Sequence, residues 1–151
     1  MAEFYTRAAT SALYVVAGGM KATGAMNKQL SAFGYPSFFA QLLGVGELAL
    51  AAANVGAELA PLAGLAPPPF ANVWVQRASA LLLGGAVGHH VIAADGGFAL
   101  PLAMLLMSAA VPALRGDATP LEAAGVAAAL AGLGFGISQL IERKPDASKS
   151  K

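Results

Sequence analysis

Both histidines of the chain, His89 and His90, lie side by side in the apolar run GGAVGHHVIAAD at residues 84–95. Imidazole titrates near neutral pH and is a common metal ligand, so the pair could bind a metal ion or relay protons. The chain has no cysteine, which removes thiolate ligands and disulfides. Zinc needs further ligands and a bis-histidine haem needs histidines on opposing helices. We therefore predict no intrinsic metal site.

The two imidazoles leave a helix in different directions, because consecutive residues are about 100° apart. Gly84, Gly85 and Gly88 form a stripe that predicts where another helix backbone approaches. His89 borders that stripe and His90 lies nearly opposite it, so we assign His89 an interior hydrogen-bonding role and His90 a peripheral one. His90 could contact lipid head groups or a neighbouring subunit. It could also supply the axial nitrogen to a tetrapyrrole, such as a chlorophyll, shared with a larger complex.

The composition indicates an integral membrane protein. Hydrophobic residues make up 57% of the chain and charged residues only 11%, whereas soluble domains carry about 25% charged residues. The mean hydropathy is +0.64, and a soluble fold of 151 residues could not hide so much apolar surface. The net charge of +1 gives no sign of a nucleic-acid partner.

Five apolar segments predict an all-α protein with five membrane spans, since a spanning helix needs roughly 20 residues. The segments cover residues 4–24, 36–60, 70–94, 98–114 and 120–141. A proline-rich stretch separates the second from the third, and Asp95-Gly96-Gly97 forms a turn after the third. Thr119 and Glu122 form a capping box before the fifth. The first segment is also short enough to be a cleavable signal peptide.

Five spans would put the chain termini on opposite sides of the membrane, and basic residues are unevenly divided between these sides. The first loop and the C-terminus hold Lys21, Lys28, Arg143, Lys144, Lys149 and Lys151, and the other side holds Arg7, Arg77 and Arg115. The positive-inside rule therefore predicts that the C-terminus is cytoplasmic, or stromal or in the matrix.

Polar residues within the first two segments repeat at helical spacing. Glu47, Asn54 and Glu58 share one face of the second segment, and Thr10, Tyr14 and Lys21 share one face of the first. Charged groups within a bilayer usually face the interior of a helix bundle. We therefore expect the two faces to meet.

Lys21, Glu47 and His89 are predicted to converge in the half of the membrane nearer the first loop. Two interpretations remain open for them. They could form a satisfied interior ion pair that fixes helix register, or they could bind a quinone head group and pass protons.

Several short motifs resemble those of the DoxX-like family of small membrane proteins. VAGGMKATG at residues 16–24 is similar to the family's AGxxKxxG signature, and FGYP at 33–36 followed by GVGEL at 44–48 is similar to its entry into a GxxEL helix. His89 or His90 matches a polar residue near the end of the family's third helix. The resemblance covers residues 6–115 and implies a four-helix membrane bundle. Some members resemble membrane subunits of quinone-linked sulfur oxidation, and others resemble assembly chaperones.

The chain continues beyond the four helices that the resemblance implies. We divide it into a DoxX-like bundle at 4–115, an additional transmembrane helix at 119–143 and a solvated tail at 144–151. Gly125, Gly132 and Gly136 suit close helix contact, so the extra helix either packs on its own bundle or docks a partner. The absence of any thiol argues against direct sulfur chemistry by this chain.

Three classes of function follow from these patterns. The first is a non-catalytic accessory or assembly subunit of a larger membrane complex, which would contact its protein partners through the fifth helix. The second is a quinone-linked redox subunit that uses the interior Lys21, Glu47 and His89. The third is a carrier for a small apolar or anionic solute. We predict no catalytic residue and no intrinsic cofactor, with quinone, lipid or a shared tetrapyrrole as the ligands to consider.

Overall fold

A computed structural model of the chain describes residues 2–66 and 69–141, and all the regular structure in this part is helical. The helices are α1 (Ala2–Ala22), α2 (Asn27–Ala32), α3 (Ser37–Leu59), α4 (Pro69–Ala93), α5 (Ala99–Arg115) and α6 (Pro120–Ile141). A 3₁₀ turn, Ala60–Ala63, extends α3. The predicted all-α class is confirmed, and the five long helices coincide with the five apolar segments. The six-residue α2 was not predicted, because it is too short to show a hydropathy period.

Helices α1 and α3 form one antiparallel pair whose backbones touch. A Cβ atom on Gly18 would collide with Gly44 and Glu47, and a Cβ on Gly44 would collide with the backbone of Gly18. The buried face of α3 comprises Ala40, Gly44, Glu47, Ala51, Asn54 and Ala57. The two polar faces therefore meet, because glycine on each helix lets the backbones approach closely enough.

Helices α4 and α6 form a second pair, which runs parallel and is packed along much of its length. A Cβ on Gly84 would overlap the backbone of Ala131, and a Cβ on Gly88 would overlap the hydroxyl of Ser138. At Gly85 the added atom would lie 3.6 Å from the carbonyl oxygen of Gly134. The glycine stripe of α4 is thus the surface on which α6 lies.

Side chains from four helices join the two pairs into one bundle. Tyr14 of α1, Ala51 of α3, Leu83 of α4 and Met104 of α5 form a buried cluster. Helix α5 contacts α1, α4 and α6. It therefore bridges the pairs.

Two helical segments are long and apolar enough to cross a membrane by length and composition. They are Ser37–Ala63 and Pro120–Ile141, and Ala99–Arg115 is a shorter apolar helix. Only 28% and 17% of the most apolar windows of the two long segments are buried inside the chain. Most residues of these windows are therefore at least partly exposed.

Helix α6 begins with the predicted capping box. The backbone N–H of Thr119 donates to Glu122 Oε2 at 2.9 Å, and the N–H of Glu122 donates to Thr119 Oγ1 at 3.3 Å. These bonds satisfy backbone donors at the helix start. The predicted solvated tail at 144–151 and the last residues of the predicted fifth span lie outside the described residues.

We expect Gly84→Ala to lower the free energy of unfolding by about 1–3 kcal/mol, because the new methyl group must push α4 and α6 apart. Gly19→Ala is the matched control, since a Cβ there meets no atom within 4 Å. That control should be neutral or slightly stabilising, because alanine is the better helix former. Thermal unfolding in one detergent compares the two, and equal stability of both variants would contradict the close α4–α6 contact.

Candidate functional site

Lys21 and Glu47 form an ion pair between α1 and α3. The Nζ of Lys21 donates to Glu47 Oε1 at 2.5 Å. Gly18 lies one turn before Lys21 and Gly44 lies one turn before Glu47, so the close backbone contact brings the two side chains together. Glu47 is 7% exposed, and a buried charge of this kind requires a partner.

A cavity of about 270 Å³ lies beside this ion pair, between α1 and α3 on one side and α4 and α6 on the other. Lys21, Glu47 and His89 all line it, so the structure brings the three predicted residues to one place. Its other walls are mostly apolar and include Leu30, Phe39, Leu43, Leu82 and Ile137. Most of these side chains are only partly buried, so the cavity is a cleft and not a sealed chamber.

His89 lies at the end of the cleft, where α4 meets the loop before α3. Its ring packs edge-on against Phe33, with the ring centroids 4.8 Å apart. The sequence did not indicate this aromatic neighbour, because Phe33 lies in the connection between α2 and α3 and the contact depends on tertiary folding.

His90 takes a position that helix geometry alone did not predict. Its ring centroid lies 5.4 Å from that of His89, and its side chain also lines the cleft. The Nδ1 of His90 lies 2.9 Å from Asp95 Oδ1, because the chain turns back at Ala94 and Gly96. The side chain stays 31% exposed, so His90 lies at the rim of the cleft and does not simply face outward.

Asp95 holds this turn with its carboxylate. The backbone N–H of Gly97 donates to Oδ1 at 2.8 Å. That bond, followed by the bond to His90, lowers the pKa of Asp95 below its ordinary value. The contribution of the carboxylate to stability is therefore complete above the ordinary carboxyl pKa and is lost as the pH falls through the lowered one.

The cleft offers hydrogen-bonding and ionic groups from Lys21, Glu47 and the two histidines. Lysine and imidazole can donate hydrogen bonds, and a carboxylate can accept them. Within residues 2–66 and 69–141, no group of three or more histidine, aspartate or glutamate side chains is placed to hold a metal ion. The arrangement suits non-covalent binding of a small ligand.

A second group of charged side chains lies at the opposite end of the bundle. This group was not predicted from the sequence. Arg7 is 1% exposed and its Nε lies 3.0 Å from Glu58 Oε1. Arg115 of α5 donates to Glu3 and, at 3.2 Å, to Glu58. The spacing of Glu3 and Arg7, four residues apart on one helix, was the available signal. The partners on α3 and α5 could not be identified without the fold.

A chain of polar side chains links three helices in the middle of the bundle. Gln76 of α4 donates to Asn54 Oδ1 at 2.9 Å, and Ser108 of α5 donates to Gln76 Oε1 at 2.5 Å. Asn54 belongs to the polar face that the sequence predicts on the second segment, whereas the pairing of Gln76 with Asn54 and Ser108 depends on tertiary folding and was not predicted. The two bonds pair both polar groups of the Gln76 side chain with Asn54 Oδ1 and Ser108 Oγ. These buried groups would be costly if they were left unpaired.

Helix α6 carries small residues on two nearly opposite faces. Its buried face comprises Ala123, Ala127, Ala131, Gly134 and Ser138. Gly125, Gly132 and Gly136, with Ala129, lie about half a turn away. A Cβ added to any of these three glycines would meet no atom within 4 Å. The second face is therefore open, although its small residues could admit another helix closely.

No family model, no curated protein and no solved structure matches this chain. Two features of the described chain could bind another molecule. They are the cleft beside Lys21 and Glu47, and the open small-residue face of α6.

We expect Glu47→Ala to lower the free energy of unfolding by about 3–5 kcal/mol, because it leaves Lys21 charged and unpaired in a largely buried position. The double variant Lys21→Met/Glu47→Leu removes both charges at similar volume and should lose much less. Chemical or thermal unfolding in detergent measures both. If the double variant were as unstable as Glu47→Ala, the ion pair would not be the cause of the loss.

Proposed function

We propose that this chain is an integral membrane protein of five spans that serves as a non-catalytic accessory or assembly subunit of a larger membrane complex. The open small-residue face of α6 carries this proposal. It provides a surface of small residues on which another transmembrane helix could dock.

The apolar exterior supports membrane insertion. Large hydrophobic side chains are exposed on every long helix, among them Val16, Phe38, Trp74, Leu106 and Leu140. A soluble core helix of comparable composition would be mostly buried, unlike α3 and α6. Exposed apolar surface on this scale is covered by lipid or by a partner.

The count of five spans is supported by the alignment of the long helices within one bundle. Helices α1 and α4 pack lengthwise against the two apolar candidates α3 and α6. If α3 and α6 cross a bilayer, their packed neighbours lie at the same depth. The positive-inside rule then favours a C-terminus on the cytoplasmic, stromal or matrix side.

The open face of α6 suits a transmembrane helix from a different membrane protein. Gly125, Gly132 and Gly136 present no charge and no polar side chain, so their partner should be equally uncharged at this depth. In lipid, close packing between small residues is a main source of helix association. Lipid chains fit such a flat surface less closely than a second helix does.

The resemblance to the DoxX-like family has a physical counterpart in the bundle. Its two motifs contribute Gly18 with Lys21 and Gly44 with Glu47, and these four residues meet where α1 and α3 touch. Two glycines for backbone approach and an ion pair to fix the register would explain why such motifs occur together. We extend the DoxX-like assignment to this chain on that ground.

Topology can be tested with single cysteines, because the chain has none of its own. Ala2→Cys and Ser148→Cys should react with an impermeant maleimide from opposite sides of sealed vesicles, with Ser148→Cys on the cytoplasmic, stromal or matrix side. Ser148 lies in the tail beyond the described residues. Labelling of both positions from the same side would mean an even number of spans and would rule out five.

Docking can be tested with Gly132→Leu and Gly136→Leu, which fill the open face of α6. Both variants should keep the unfolding temperature of the parent, because the new side chains enter open space. Both should lose most of the partner protein that co-purifies from native membranes in a mild detergent. Gly56→Leu is the matched control, since its Cβ also meets no atom within 4 Å.

Two outcomes would contradict the accessory role. One is unchanged partner recovery with Gly132→Leu and Gly136→Leu. The other is a native complex whose mass corresponds only to copies of this chain, because the α6 face would then mediate self-association.

A further inference from the structure

The cleft between the helix pairs has one charged end in walls that are largely apolar. Lys21 and Glu47 form that end, His89 and His90 also line the cleft, and Leu43, Leu82 and Ile137 are among the apolar residues of the other walls. Binding sites for small molecules commonly combine an apolar body with a few placed polar groups. A small amphipathic molecule matches this distribution better than a polar solute does.

One carboxylate oxygen of Glu47 accepts no hydrogen bond from the described residues. Lys21 bonds to Oε1, whereas Oε2 is buried and has no hydrogen-bond partner among the described residues. The Glu47 side chain is 9% exposed, so leaving an oxygen unsatisfied there is costly. The terminal torsion of a glutamate is soft, and a small rotation can present Oε2 to the cleft that Glu47 lines.

Lys21 adds donors beside this acceptor. Its ammonium group carries three N–H donors, and the bond to Glu47 uses one of them. The charged end of the cleft therefore offers one acceptor and at least one donor within the reach of a single ligand group. A hydroxyl group both donates and accepts, so it can satisfy the two residues together.

We propose that the cleft binds a neutral alcohol or phenol with an apolar body, whose hydroxyl donates to Glu47 and accepts from Lys21. A neutral hydroxyl leaves the charge of the ion pair balanced. Lys21 and Glu47 lie on α1 and α3, away from the glycines of α6 that we propose for docking.

Other head groups fit these two residues less well. A carboxylate brings a negative charge next to Glu47 and has no donor to offer. An ammonium group brings a positive charge next to Lys21 and has no acceptor. An oxidised quinone carries acceptor oxygens only, so it could bond to Lys21 but would leave Glu47 Oε2 unsatisfied.

The size of the cleft limits the part of the ligand that it can enclose. An apolar cavity of about 150 Å³ holds one benzene molecule. In proportion, the cleft of about 270 Å³ has room for about eleven non-hydrogen atoms. A decyl alcohol has that size, and a longer tail would extend from the open side.

The proposal can be tested by photolabelling the full chain in nanodiscs of a synthetic phosphatidylcholine, whose head group has no hydroxyl. The probes are decanol, decyl methyl ether, decanoic acid and decylamine, each with a diazirine on the tail. Mass spectrometry locates the label, and labelling of outward-facing peptides corrects for partition into lipid. Decanol should label the peptides that line the cleft about tenfold more than the ether does, because only the alcohol can donate to the carboxylate.

Cavity-filling variants provide the matched comparison. Leu43→Trp fills the cleft and should abolish the decanol label, whereas Leu42→Trp, at a position 62% exposed, should keep it. The double variant Lys21→Met/Glu47→Leu should reduce labelling by decanol to the level seen with the ether, while the chain stays folded. Equal labelling by alcohol and ether, stronger labelling by the acid or the amine, or retention of the label in Leu43→Trp would each overturn the proposal.

Native extraction in a polymer without detergent identifies the source of the hydroxyl. A lipid with a free hydroxyl that co-purifies with the parent and is absent from Leu43→Trp supports a ligand from the membrane. Decanol labelling without any such lipid supports a ligand that enters as a free small molecule.

Discussion

The contact between α4 and α6 at Gly84 and Ala131 is the interaction on which the rest of the structure depends. It brings two helix backbones together where any larger residue would separate them. With α6 held there, Ile137 and Ser138 form one wall of the cleft. The same contact leaves Gly125, Gly132 and Gly136 on the opposite, open face of α6. The ligand site and the docking surface that we propose are thus two consequences of one helix position.

Pairing of polar groups determines how the two helix pairs fit together. In an apolar environment an unpaired charge or amide is expensive, so its partner fixes the register of the helix that carries it. Glu47 fixes α3 against α1 through Lys21, and Gln76 connects α4 to both α3 and α5. Glu47 Oε2, beside the cleft, is buried without a hydrogen-bond partner among the described residues, and we propose that a ligand satisfies it. The bundle is therefore specified by a few polar contacts and by close packing of small residues.

Local signals in the sequence were enough to predict the helices but not the partners of every polar group. Hydropathy located the five long helices, and the spacing of Thr119 and Glu122 located the start of α6, since both signals depend only on neighbouring residues. The pairing of Lys21 with Glu47 followed from helical faces. The position of His90 did not follow, because it depends on the turn at Asp95. The bonds of Arg115 to Glu3 and Glu58 also required the fold, since 112 residues separate Arg115 from Glu3.

Magnetic resonance of the isotope-labelled chain in lipid tests the central claim, that α6 is packed on α4 by one face and open on the other. We expect cross-peaks between the α protons of Gly84 and Ala131, and contacts of Gly132 with lipid chains or with a partner but not with α4. Cross-peaks that join Gly132 to α4, with Gly84 in contact with lipid, would contradict it.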